Sequence, residues 1–347
     1  MVVTEDGKLP LPWLAPTLSQ ALAMDKSHAV LFHASAGDGA LQLALTLAQS
    51  WLCESGPAGR GRFACGGCGA CRQVAARAHP DLKVLLPESL SSELGWMAGD
   101  NEADASDSGK SKRKPSRQIR IDAVRAAIDW MATTSSRGRG KVMLIHPADA
   151  LNLQSANALL KTLEEPPQGA RLILTTRDPE HLLPTVRSRC QRLRLPVPDH
   201  ELARQWLGEQ GAEDADVLLR AVDGHPLEAA AQVALGMTAA RWNALPGAVR
   251  ERRAAYFADW PLPRVVDGLL KFVHDTLALT VGGSPRYFDA AALRRSPDLP
   301  GLLAWKAELT RIARQSEHPW SEPLLVEAML CSTRGLAPGP ALDTLRP

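Results

Sequence analysis

Five short apolar runs mark the first 195 residues of the chain: AVLFHA (29–34), DLKVLL (81–86), KVMLIH (141–146), RLILTT (171–176) and QRLRL (191–195). Helix-period segments such as GALQLALTLAQSWL and LQSANALLKTLEE lie between them. This alternation predicts βαβ units, a parallel sheet with helices on both faces. After LPVPDH (195–200) the composition turns helical, first in ELARQWLGEQ and ADVLLRAVDGHPLEAAAQVAL and then in PGAVRERRAAYFADW. The segment PRVVDGLLKFVHDTLALTVGG places Val265, Val266, Leu269, Leu270, Val273 and Leu277 on one stripe, with Gly282 as a stop. The expected organisation is an α/β domain over 1–197, a small helical domain over 198–242 and an all-α domain over 243–347. No fixed-period repeat is visible.

The stretch HASAGDGALQLA (33–44) sits between the first strand and the first long helix, where a phosphate-binding loop belongs. Gly37 and Gly39 keep its frame, but Ala40 and Leu41 stand where a lysine and a hydroxyl hold phosphate and Mg²⁺. The strand KVMLIH ends in His146 and Pro147, where such an enzyme needs an acidic pair. Proline offers no base, and histidine is a poor Mg²⁺ ligand beside carboxylate. Loss at both places, in the right order, predicts a degenerate nucleotide fold that does not turn over ATP.

LCESGPAGRGRFACGGCGACR places Cys53, Cys65, Cys68 and Cys71 at spacings x11, x2 and x2. Gly66, Gly67 and Gly69 permit the tight backbone that turns successive sulfurs toward one point. Four thiolates form a closed, structural zinc site, and this spacing favours zinc over free thiols or an iron–sulfur cluster. Arg60, Arg62, Arg72 and Arg77 lie nearby in sequence to offset its negative charge. Cys190 and Cys331 fall outside the motif and read as small, semi-buried residues.

A net charge of +2 gives no global case for nucleic acid. The start MVVTEDGKLPLPWLAP lacks a secretory pattern, and no apolar run is long enough for a membrane span, so a cytoplasmic globular protein is expected. Residues 88–118 are poor in apolar side chains and read as a flexible insertion. Its basic half, Lys110, Lys112, Arg113 and Lys114, offers a local phosphate contact.

KVMLIHPADALNLQSANALLKTLEEPP (141–167), followed by TTRDPEHLLPTVRSRC (175–190), resembles the clamp-loader branch of the AAA+ family, and within it the delta prime group of bacterial DNA polymerase III. The four-cysteine insertion (about 53–75) is similar to that group's zinc module, and LPWLAP to its N-terminal motif. The resemblance implies an AAA+ P-loop-type sheet, a helical lid over 198–242 and an oligomerising helical collar over 243–347. Its pattern asks for Gly-Lys-Thr at Gly39, Ala40 and Leu41, for Asp-Glu at His146 and Pro147, and for a sensor arginine where Leu227 stands in GHPLEA. All three departures remove ATP chemistry, so no functional ATP site is expected. This separates the chain from the hydrolysing tau/gamma subunits.

Ser188, Arg189 and Cys190 keep the family's Ser-Arg-Cys motif. The resemblance implies that Arg189 acts in trans as an arginine finger at a neighbouring subunit's ATP. Glu164 and Glu165 read as helix-end carboxylates and Pro166 and Pro167 as the stop. The implied role is a member of a five-subunit ring with delta and three tau/gamma copies, which opens the sliding β clamp and places it on primed DNA. Such a chain belongs to the DNA-directed DNA polymerase (nucleotidyltransferase) holoenzyme of DNA replication without catalytic activity of its own. Two other functions compete: an ATPase with an unusual P-loop, and a zinc-bearing DNA-binding module using Cys65–Cys71 and residues 110–114. Turnover by the isolated chain marks the first, and steeply salt-dependent DNA binding the second.

Overall fold

A computed structural model describes residues 2–24, 27–34, 37–55, 63–96, 115–296, 298–314 and 321–332. Arg60, Arg62 and the basic stretch 110–114 lie outside the described residues. The chain divides into two compact units, Met1–Leu202 and Ala203–Pro347.

The first unit carries all five expected strands: β1 (Ala29–His33), β2 (Leu82–Leu85), β3 (Lys141–Ile145), β4 (Ala170–Thr176) and β5 (Gln191–Arg194). They form one parallel sheet in the order β2-β3-β4-β1-β5, with the strand that precedes the glycine loop inside the sheet. Its helices are α1 (Ala15–Leu22), α2 (Ala40–Leu52), α3 (Gly69–Ala75), α4 (Glu88–Glu93), α5 (Ile121–Ala132), α6 (Leu153–Glu164) and the single turn α7 (Pro184–Arg187). Leu31, Met143, Ile145, Leu172 and Leu174 share a core with Val124, Ala127 and Met131 of α5 and Leu159 and Leu163 of α6. The alternate residues Val30, Phe32, Val142, Leu144 and Ile173 are equally buried, on the face where α2 packs on β3 and β4. Burial on both faces is why these strands read as continuous apolar runs rather than alternating ones.

The insertion departs from expectation at its start. Residues 88–93 form helix α4 rather than loop, with Glu88 in its first turn. The Glu88 carboxylate accepts from the Ser116 backbone N–H at 2.9 Å, and Arg120 lies 3.5 Å from it. The apolar count of the segment misses this helix because polar side chains and the backbone of 115–118 support it.

The second unit is helical: α8 (His200–Glu209, begun in the first unit), α9 (Ala215–Ala221), α10 (Pro226–Ala234), α11 (Ala239–Arg250), α12 (Leu262–Thr280), α13 (Leu299–Arg314) and α14 (Glu322–Cys331). The stripe expected on α12 faces its core, with Val265, Val266, Leu269 and Val273 essentially without solvent exposure. Gly282 follows the helix in the left-handed region, at φ +87°. The boundary expected at 242/243 falls inside α11. One apolar cluster runs from Ala203 and Leu207 through Trp242 to Met329 and Leu330, and Trp242 stacks on Phe288 at 4.9 Å. Cys331 is exposed, not semi-buried as expected, because it closes α14 on the side away from Met329 and Leu330.

Asp275 anchors the chain that follows α12. Fully buried, it accepts from the backbone N–H groups of Arg286, Tyr287 and Phe288 at 2.7–2.8 Å. Replacing it leaves buried donors without a partner. Asp275→Ala is therefore expected to destabilise the protein by about 3 kcal/mol, read as a lower midpoint in urea unfolding.

Candidate functional site

Parallel strands bring the loops after β1, β3 and β4 to one end of the sheet, where ligand crevices of α/β folds lie. His33 pairs in register with Thr176 of β4 and Arg194 of β5. Gly37 and Gly39 follow β1 with φ of +83° and +94°, so the loop retains its glycine-dependent path into α2. Ala40 begins the helix, and Leu41 is buried at 6 % exposure. An apolar side chain there offers neither a donor to a phosphate nor an oxygen to a metal. Between the glycines Asp38 is buried at 1 % exposure, and its backbone carbonyl accepts from the Trp13 indole N–H at 3.1 Å. Trp13 thus ties the LPWLAP segment onto this loop.

Across the sheet, His146 follows β3 and shares a 2.7 Å hydrogen bond between Nδ1 and the Thr175 hydroxyl. Burial, reinforced by the Arg177 charge and opposed by Asp149, depresses its pKa to about 4. His146 is therefore a neutral, hydrogen-bonded ring at neutral pH. Asp149 is the nearby carboxylate, and it is committed to the end of β4, accepting from the Thr176 hydroxyl and from the Arg177 N–H at 2.9 Å. Leu227 stands in the first turn of α10, in the second unit.

The four cysteine sulfurs converge, all within 4.8 Å of one another. Cys53 and Cys68 lie 3.9 Å apart, as do Cys65 and Cys71. A tetrahedron with metal–sulfur bonds of about 2.3 Å has edges of about 3.8 Å, so the set fits one tetrahedral ion. Backbone N–H groups of Cys65, Cys68 and Cys71 point at the sulfurs of Cys53, Cys65 and Cys68, at 3.3–3.5 Å. A hydrogen bond with the Ser55 hydroxyl, the chief cause, brings the Cys65 thiol down to about 6. Gly66 is required here: at φ +76°, a Cβ would fall 1.7 Å from the Thr4 carbonyl oxygen that crosses over it.

The positive charge beside this cluster differs from expectation. Arg77 is spent elsewhere, donating to the Leu94 and Gly95 carbonyls and lying over the Trp96 ring. Arg137 instead pairs with Glu54, the residue after Cys53, and Arg139 donates to the Glu54 carbonyl at 3.2 Å. Asp81, fully buried, fixes that arginine-bearing loop by accepting from Ser135 and from the N–H groups of Ser136 and Arg137 at 2.8–3.0 Å.

Ser188 caps α7, and Arg189 lies two residues past its end. The Arg189 side chain, 33 % exposed, donates through Nη1 to the Thr185 carbonyl at 2.9 Å and to the Ser188 hydroxyl at 3.3 Å. Through Nη2 it pairs with Glu164, the last residue of α6. Cys190 is buried, and burial pushes its thiol up to about 12, so it is packing rather than a nucleophile.

The family described as DNA polymerase III, delta subunit, matches residues 13–199. DNA polymerase III subunit delta' of Pseudomonas aeruginosa is 34 % identical over 304 residues, covering 86 % of this chain and 75 % of the relative. The chain belongs to the delta prime family. Subunit delta' of Escherichia coli K12 is 33 % identical over 215 residues, 61 % of this chain and 56 % of that protein. The chain thus spans three quarters of one such relative and little more than half of the other. Subunit tau of the same organism is 33 % identical over 180 residues, 52 % of this chain and 23 % of tau. The chain is accordingly a clamp-loader subunit of DNA polymerase III by family. The delta prime match takes in the sheet, the cysteine cluster and the Ser188–Cys190 motif. No helix of the described residues is long and apolar enough to cross a membrane.

Sequence reasoning treated Glu164 as a mere helix end and did not single out Trp13 or Asp149 for the site. Each acts through a partner at least 25 residues away, which no local pattern announces.

The state of His146 has a measurable consequence. Its pKa falls from about 6.5 in the unfolded chain to about 4 when folded, so protons bind preferentially to the unfolded state. Stability present above pH 6.5 is therefore lost as pH falls toward 4, by up to about 3 kcal/mol. His146→Gln is expected to flatten that part of the profile in chemical unfolding at pH 4–7.

Proposed function

We propose that this delta prime family member is the non-hydrolysing subunit of the loader, and that it supplies Arg189 to the ATP held by a neighbouring subunit. The observation that carries the reading is a contrast within one domain. The phosphate loop leads into a buried, apolar Leu41, whereas the Arg189 side chain is one-third open to solvent. The groups that would hold Mg²⁺ are absent at Leu41, His146 and Pro147. An exposed guanidinium stabilises the charge that develops on a transferring γ-phosphoryl group in trans.

In this reading the chain joins delta and three tau/gamma copies in a cytoplasmic ring that loads the sliding β clamp onto primed DNA. The helices of the second unit supply the lid and the collar. Cys53, Cys65, Cys68 and Cys71 hold a structural zinc ion that fixes the module on α2 and α3, leaving no position open for chemistry.

Two experiments test this. A loader rebuilt from its subunits is assayed for DNA- and clamp-stimulated ATP hydrolysis with native chain and with Arg189→Ala. No turnover is expected from the chain alone, and a fall of at least about tenfold at the site Arg189 serves. Turnover by the isolated chain, or unchanged hydrolysis in the variant complex, overturns the proposal. Metal analysis is expected to find one zinc per chain, and Cys68→Ser or chelation to release it and expose residues 53–75 to protease. A metal-free chain of equal stability counts against the zinc site.

A further inference from the structure

Arg189 is held before any neighbour arrives. Its fork is gripped from two sides: Nη1 by the Thr185 carbonyl and the Ser188 hydroxyl, Nη2 by the Glu164 carboxylate. The first two groups belong to the turn that carries the arginine. Glu164 comes from a different element, the end of α6, 25 residues earlier in sequence. These contacts leave Nε and the second Nη2 hydrogen without a partner among the described residues. A guanidinium has five N–H donors, so the side chain is oriented and still carries donors to offer.

Both partners are partly open to water, Arg189 at 33 % and Glu164 at 48 % side-chain exposure. An ion pair in that setting is weak and exchangeable. A phosphate oxygen bearing more charge competes well for the same guanidinium. The pairing therefore restrains a long, flexible side chain without trapping it.

From this we infer that Glu164 is a positioning residue for Arg189, narrowing the guanidinium's conformations to the one presented at the surface. The inference rests on the in-trans role proposed above. Restraint of a rotamer-rich side chain removes ordering entropy that would otherwise be lost during the reaction. The gain is bounded by the strength of an exposed pair, which corresponds to about two- to fivefold in rate.

The rebuilt loader provides the test, with Glu164→Ala, Glu164→Gln, Arg189→Ala and the double variant Glu164→Ala/Arg189→Ala. Glu164→Ala is expected to lower stimulated turnover about two- to fivefold with KM for ATP unchanged. Glu164→Gln, whose amide oxygen accepts the same hydrogen bond, is expected to stay within about twofold of native. The double variant is expected to be no slower than Arg189→Ala, because the two residues act as one unit. In the isolated chain, the Arg189 Nε–H signal in ¹⁵N spectra is expected to become more mobile in Glu164→Ala.

If Arg189→Ala slows turnover and Glu164→Ala does not, the inference alone is overturned. A further loss in the double variant, or equal Arg189 mobility in native and Glu164→Ala chains, also overturns it. Unchanged turnover in Arg189→Ala overturns the parent reading, and the inference falls with it.

Discussion

Strand β1 sets the first unit. It pairs with β4 on one side and β5 on the other, and its side chains are buried on both faces. Its first four residues are buried and apolar, and its register fixes His33 level with Thr176 and Arg194. The loop after β1, the histidine after β3 and the turn that carries Arg189 all take their places from that pairing. The pairing depends on apolar packing, not on anything the loop binds.

Much of this was legible in the sequence, for a physical reason. The three inner strands β1, β3 and β4 are runs of five to seven residues buried almost throughout, so they appear as uninterrupted hydrophobicity that a short window detects, while the edge strands β2 and β5 are more open. The cysteine spacing was equally direct, since x2 intervals with glycines leave few other uses for four thiols. The substitutions at Ala40, Leu41, His146 and Pro147 could be read because the strands placed them at one end of the sheet before any coordinates did.

What escaped the sequence depends on contacts distant along the chain. Helix α4 was hidden because its support comes from Ser116 and Arg120 rather than from apolar content. Arg137 was not a candidate for the cysteine cluster, being 84 residues from Cys53, yet the buried Asp81 delivers it to Glu54. Glu164 looked like a helix terminus, and its pairing with Arg189 exists only once α6 and α7 lie side by side. The expected boundary near 242 marks the opening of a further all-helical segment, and no local pattern there announces that Trp242 stacks on Phe288.

That last packing bears on mechanics. A subunit that cycles ATP needs a lid that swings as nucleotide comes and goes. Here α9 and α10 share one close-packed interior with α12 and α13, and interiors of this density transmit strain instead of yielding to it. Among the described residues of the second unit, one apolar cluster joins these helices. Under the function proposed above, a lid-like segment packed in this way suits a subunit that holds its shape while its neighbours change theirs.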